Sequence, residues 1–189
     1  MLPVSRLIAS MRYALRDMQG SEVSDYELIE ALNQAVSLLY SRLSEKYIYK
    51  AVKKTAIVVD STLQAALPSD FISVHRVGLG QEGYLNPVSY RADSEGTYRI
   101  SGSIFYAPEG TYGLEYYYLP ARVHNLTDLL DVSPSVSPYL EQIANSVLAK
   151  DFASAEQLAQ VCCNALGGGE MSHFKDTGPV QILGDIARY

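Results

Sequence analysis

The chain has 189 residues with 15 Lys and Arg against 21 Asp and Glu, a formal net charge of −6, and it is 48% hydrophobic and 19% charged. This length and balance suit one domain or one and a half, burying roughly 70% of the surface an unfolded chain exposes, and they exclude a disordered or low-complexity protein. The acidic balance also argues against a general nucleic-acid binder, because neutralising phosphates takes clustered Lys and Arg.

The first segment repeats apolar residues at Val4, Leu7, Ile8, Met11, Leu15 and Met18, spacings that predict one stripe of a helix, with Pro3 in its first turn and Gly20 at its end. Arg6, Arg12 and Arg16 are threaded through that stripe rather than placed ahead of it, and no apolar run approaches the roughly 18 residues of a membrane span. Neither a signal peptide nor a membrane anchor is expected. A second helix is predicted from Ser24, where Ser24-Asp25-Tyr26-Glu27 has the form of a capping box, and its stripe runs through Leu28, Leu32, Ala35, Leu39 and Leu43. The short connection predicts a helical hairpin over residues 1–46. Lys46, Lys50, Lys53 and Lys54 then form a basic cluster. It reads as a solvated strand edge or helix end, or as a contact for an acidic partner surface.

From Tyr47 the period falls to two and β-branched and aromatic residues accumulate, which predicts an antiparallel β domain over 47–130. Strands are expected at Ala56–Val59, Thr62–Leu67, Ile72–Leu79 and Tyr112–Leu119, with a hairpin of Tyr98–Ile100 and Ile104–Tyr106 turning at Ser101-Gly102-Ser103. Leu67-Pro68-Ser69-Asp70-Phe71 reads as a turn, and Tyr84-Leu85 as a brief pairing inside a loop. Turn signals this frequent imply a small antiparallel sandwich or open barrel rather than a parallel sheet.

A long third helix is predicted over 138–166, from Pro138 through Leu140, Ile143, Val147, Phe152, Ala155, Leu158, Val161 and Leu166, packing with the hairpin and ending at Gly167-Gly168-Gly169. The fold class expected is therefore α+β. Beyond the glycines, residues 167–189 have no sustained period yet hold Phe174, Val180, Ile182, Leu183, Ile186 and Tyr189. A segment this apolar and this interrupted is expected either to order on a partner, with Val180, Ile182 and Ile186 as anchors, or to fold back on its own sandwich.

Little in the chain points to catalysis. His75, His124 and His173 lie far apart with no partner at ligand spacing, the glycine triplet lacks a phosphate loop's context, and the carboxylates are scattered. Cys162 and Cys163 are adjacent, so they form neither a disulfide framework nor a zinc site, and they read as small apolar residues of a protein from a reducing compartment. No catalytic residue, metal or cofactor is expected. The unusual feature is 15 Tyr with no Trp. Tyr112, Tyr116 and Tyr118 share one face of a strand and Tyr117 takes the other, so both faces are expected to be covered, by a helix or by a neighbouring subunit. A sugar- or base-stacking platform is the functional alternative.

These pieces together resemble the head-to-tail adaptor (connector) proteins of tailed bacteriophages. The resemblance rests on Leu7-Ile8 with Arg12-Tyr13-Ala14-Leu15-Arg16-Asp17, the run from Ser24 to Ala35, Leu67 to Val77, Tyr116-Tyr117-Tyr118-Leu119-Pro120, and Pro138-Tyr139-Leu140. It spans residues 4–165 and rests on the order and spacing of the five pieces. It implies a non-catalytic virion protein, assembled in the host cytoplasm, that forms a homo-oligomeric ring, commonly of twelve subunits, between the portal protein and tail or nozzle proteins. DNA would pass through its lumen without specific binding, past an acidic wall that repels phosphate, and no membrane is involved. The tail would then dock on the portal or a neighbouring subunit. Another neck or tail-completion protein, and a carbohydrate-binding or enzymatic domain, are the other classes the residues leave open.

Overall fold

The computed structural model describes residues 1–79, 83–89 and 96–167. A short strand β1 (Leu2–Pro3) leads into helix α1 (Val4–Leu15), which buries Val4, Leu7, Ile8 and Met11. Helix α2 (Asp25–Glu45) follows and starts where its sequence signature places it. The Ser24 hydroxyl accepts the Glu27 N–H at 3.3 Å, and the Glu27 carboxylate accepts the Ser24 N–H at 2.9 Å. Its stripe of Leu28, Leu32, Ala35, Leu39 and Leu43 is fully buried, and each such leucine contributes about 1.5–3 kcal/mol of burial.

The end of α1 differs from the expectation. The helix stops at Leu15, with Arg16 in the left-handed region (φ 58°), while Gly20 (φ 66°) sits in the connecting loop and Met18 is exposed. The cause is Asp17. Its carboxylate, 4% exposed as a residue, accepts the N–H groups of Ser21 (2.8 Å) and Val23 (3.0 Å), so the chain leaves the helix to wrap around it. Arg12 clasps the same turn, reaching Asp17 (3.1 Å), the Val23 carbonyl (3.0 Å) and Asp25 (2.5 Å).

The remaining strands are β2 (Val52–Val59), β3 (Gln64–Ala66), β4 (Phe71–Gly78), β5 (Asn86–Pro87), β6 (Thr97–Ser101), β7 (Ile104–Tyr106), β8 (Gly110–Tyr118) and β9 (Leu129–Leu130). One sheet has the order β2-β8-β4, with the tyrosine-rich β8 in its centre, and a second has the order β3-β7-β6-β5. All these pairings are antiparallel except β5 with β6. The β6–β7 hairpin turns at Gly102, whose φ of 60° is the conformation glycine tolerates best. Phe105, fully buried, joins the two sheets: its ring stacks on Tyr98 at 5.7 Å and tilts against Tyr112 at 5.8 Å. Tyr84 makes its single bridge to Gly78.

Two helices close the described chain, α3 (Ser137–Leu148) and α4 (Phe152–Gly167). The single long helix expected over 138–166 is thus corrected to a pair. Lys150 adopts φ 59°, and Asp151 then accepts the N–H of Ser154 (3.1 Å) and its hydroxyl (2.6 Å), which starts a new helix in a new direction. As a result Phe152 and Val161 face outward, and the side of α4 that is buried is Ala155, Ala159, Cys162 and Cys163. Helix α3 packs against α1, α2 and α4. The β1–β9 pair ties the N-terminus to the segment leading into α3. The fold is α+β.

Candidate functional site

A cluster of polar groups around Lys53 joins the β2-β8-β4 sheet to the turn before β4 and to the segment leading into α3. Lys53, on β2, reaches across the face of β8 to Asp70 (3.0 Å) and Asp131 (2.8 Å), and its ammonium lies 4.0 Å from the centre of the Tyr118 ring. Burial works against this charge, but hydrogen bonds to Asp131 and Asp70 and their negative charges outweigh it, and Lys53 titrates well above the ordinary lysine range. Tyr116 donates to Asp70 at 2.9 Å, and Tyr118 donates to the Asp131 carbonyl at 3.0 Å. Burial, then the bond to Asp70, pushes the Tyr116 hydroxyl up to about 12. On the helix side Tyr40 of α2, fully buried, meets the Tyr118 ring edge-on at 5.3 Å. A second pin is Asn33 of α2, whose amide donates to the Val123 carbonyl (2.9 Å) while its oxygen accepts the Val123 N–H (3.0 Å). An asparagine inside the apolar stripe of α2 was the sequence signal for this contact.

The four tyrosines of β8 are all buried within the single chain. Tyr112 lies against Phe105 and donates to the Pro108 carbonyl at 2.7 Å, and Tyr116 stacks on Phe71 at 5.8 Å. Tyr117, on the opposite face, is covered by His75, 3.0 Å from its hydroxyl, and by the ring of Tyr47. Further along that outer face the cover ends. Ala56, Gly113 and Gly78 are neighbours across the three strands and floor an open groove of about 590 Å³, bordered by Lys54, Glu115 and Arg76. Lys54 pairs with Glu115 at 2.7 Å, and Arg76 lies on the Tyr84 ring at 4.7 Å.

The basic cluster divides in two. Lys53 and Lys54 are held in ion pairs, whereas Lys46 and Lys50 are exposed, beside the exposed rings of Tyr47 and Tyr49.

His75, on strand β4 and half-buried, is part of the aromatic cluster, with its ring 5.7 Å from Tyr49. His124 is exposed, and its backbone N–H donates to Asp128. Cys162 and Cys163 are buried, and burial pushes the Cys162 thiol up to about 12. Among the described residues no group of three or more His, Cys, Asp or Glu is placed to hold a metal ion, and no helix is long and apolar enough to cross a membrane. Phe174, Val180, Ile182, Leu183, Ile186 and Tyr189 lie outside the described residues.

The described groups define a scaffold, whose partly buried charges, hydroxyls and rings tie the sheet to the segments and helices around it. The chain belongs to the SU10 adaptor protein family, whose model matches residues 3–174, and it is a structural adaptor of a bacteriophage. The match takes in all four described α-helices and every described strand but the first residue of β1. No curated protein sequence matches the chain.

Proposed function

We propose that this adaptor assembles with copies of itself into a ring of twelve subunits in the neck of the virion, joining the portal to the tail and continuing the DNA channel. The observation that carries the reading is the family match over residues 3–174. The Ser44–Ser73 bond and Tyr40–Tyr118 contact from α2 to the sheet, with the Lys53–Asp131 bridge to the segment leading into α3, support it, because a subunit that bears load between head and tail needs its helices fixed to its sheets. The net charge of −6 supports a lumen that repels phosphate, so that DNA passes without binding. The role is structural and non-catalytic. A stoichiometric metal ion, or a turnover abolished by one substitution, would overturn that part.

Residues 170–189 dock on the portal or the neighbouring adaptor through Phe174, Val180, Ile182, Leu183, Ile186 and Tyr189, with Val180, Ile182 and Ile186 as anchors. The protein mixed with purified portal and imaged by electron microscopy is expected to give twelve-fold particles, and a stable complex with the tail tube instead of the portal would assign it to another place in the neck. Deleting 170–189 is expected to leave circular dichroism unchanged and to abolish portal binding. Undiminished binding would end the docking reading, and a large loss of thermal stability would show that the tail folds back on its own chain.

A further inference from the structure

Two exposed poles lie at the ends of β2, and they are complementary. The first is the connection from α2 into β2. There Ile48 donates to the Leu43 carbonyl at 2.9 Å and buries its side chain, closing the end of α2, which places Tyr47 at φ 56°. Glycine is the usual occupant of such a position, because a Cβ is disfavoured there. Here it is a tyrosine, 74% exposed, with Tyr49 at 42% beside it. Lys46 and Lys50 flank them, and neither lies within ion-pair distance of a carboxylate among the described residues.

The second pole is at the far end of β2, about 26 Å away at 3.3 Å per residue. Val59 pairs with Gly110, which sets Asp60 and Glu109 side by side, both exposed and without a cation in ion-pair distance among the described residues. Val58 is 67% exposed there. Leu63, held by its N–H to the Asp60 carbonyl at 2.9 Å, is 41% exposed at φ 60°. Each pole thus presents a bulky apolar side chain from a left-handed residue, where glycine would relieve strain. The Tyr47 ring gives an edge to Tyr117, and most of its surface stays open to a neighbour.

We infer that the Lys46, Tyr47, Tyr49, Lys50 pole of one copy docks on the Asp60, Glu109, Val58, Leu63 pole of the next. The occupant is a second copy because one chain carries both halves, opposite in charge and each with an apolar centre. A contact between unlike surfaces propagates from copy to copy and closes into a ring when its rotation allows. This rests on the ring reading above and names the surfaces that meet. A nucleic-acid strand on the basic pole is the rival occupant, disfavoured by the net charge of −6.

Charge reversal with rescue tests it, in the full chain with and without portal, followed by sedimentation velocity and mass photometry. Lys46→Glu with Lys50→Glu, and separately Ser61→Lys with Glu109→Lys, are each expected to raise the concentration needed for half-assembly at least about tenfold, since each sets like charges together. The second pair leaves the turn bonds of Asp60 in place. An equimolar mixture of the two variants is expected to restore assembly, because each variant then faces a complementary neighbour. Tyr47→Gly is expected to weaken assembly while the monomer keeps its melting temperature within a few degrees, since relief of the left-handed backbone offsets the lost ring contact with Tyr117, a divergence that a merely structural tyrosine would not show. If the wild type forms rings and both charge variants form them equally well, the poles are wrong and the ring reading stands. If the mixture of folded variants fails to assemble, or the variants lose only portal binding or only the binding of a labelled oligonucleotide, the inference is overturned. If the wild type forms no ring in any condition, portal included, both readings fall together.

Discussion

A polar side chain inside an apolar stripe makes a fold sensitive to its replacement, and Asn33 of α2 is one. Asn33 satisfies both backbone groups of Val123 from within α2, at 2.9 and 3.0 Å, and it is 7% exposed. Asn33→Ala leaves a buried N–H and C=O without partners, so a loss of about 2 kcal/mol is expected, read as a lower urea midpoint at unchanged slope. A midpoint within error of wild type would show that the 119–128 segment is held by other means. Asp17 contributes to acid sensitivity, alongside Glu27, Asp60, Asp128 and Asp151, which hydrogen bonds also hold below the ordinary carboxylate values. Burial works to raise the pKa of Asp17, but N–H donors from Val23, Ser21 and Glu22 prevail and hold it below the ordinary carboxylate value. A folded pKa below the unfolded one gives stability that is present above about pH 4 and is lost as pH falls through the folded value. Melting temperature is therefore expected to drop between pH 4 and 2, less steeply in Asp17→Asn; equal slopes would remove Asp17 from the account. Neither role was legible in advance. The sequence shows an Asn within the stripe and an Asp after a helix, but what they bond to is settled by segments 90 and four to six residues away.

At the scale of elements, what was read correctly depended on local signals, and the miss at 149–151 shows why. The capping box of α2, the Gly102 hairpin and the strand alternation of β8 are each determined within a few residues, and all three stand in the structure. The break between α3 and α4 has a signal too: the stripe steps five positions from Val147 to Phe152, and Asp151 with Ser154 is a cap pattern. Hydrophobic spacing alone bridged it, since both helices are apolar and α4 holds one charged residue, Glu156. Asp151→Ala is expected to cost about 1 kcal/mol through the lost cap. Lys150→Gly, at a residue with φ 59°, is expected to cost nothing or to stabilise by up to about 1 kcal/mol. A destabilising Lys150→Gly would mean that the side chain, not the turn, matters there. The buried side of α4 predicts its chemistry as well. Burial raises both thiols, with Cys162 at about 12, so a thiol reagent at pH 8 is expected to label neither cysteine until the protein unfolds.

At the scale of the molecule the question is whether helices and sheets fold as one unit. Several links cross between them: the Ser44–Ser73 hydrogen bond from α2 to β4, the Tyr40–Tyr118 ring contact, the Asn33–Val123 pair from α2 to the segment after β8, and the Lys53 bridge to Asp131 in the segment leading into α3. The ion pair is partly exposed, with Lys53 at 35% and Asp131 at 39% of side-chain surface, so a double-mutant cycle on that pair is expected to give roughly 1 kcal/mol or less. The aromatic contact adds about 0.5–1.5 kcal/mol beyond its buried area. Coupling must therefore come mainly from the shared apolar core, in which Tyr40, Leu39 and Leu43 of α2 and Tyr117, Leu114 and Tyr118 of β8 belong to one continuous cluster. A continuous core predicts one transition. With no Trp, and with six of the 15 Tyr in strands against four in α-helices, tyrosine fluorescence is weighted towards the sheets, and far-ultraviolet circular dichroism reports mainly the helices. The two urea curves are expected to coincide in the wild type. In Tyr118→Ala, which removes the ring that meets both Tyr40 and Lys53, both curves are expected to shift together by about 3–5 kcal/mol in stability. If the helical signal instead held its midpoint while the tyrosine signal fell, the helices would be an independent unit, and the junction would be a contact between domains rather than the centre of one.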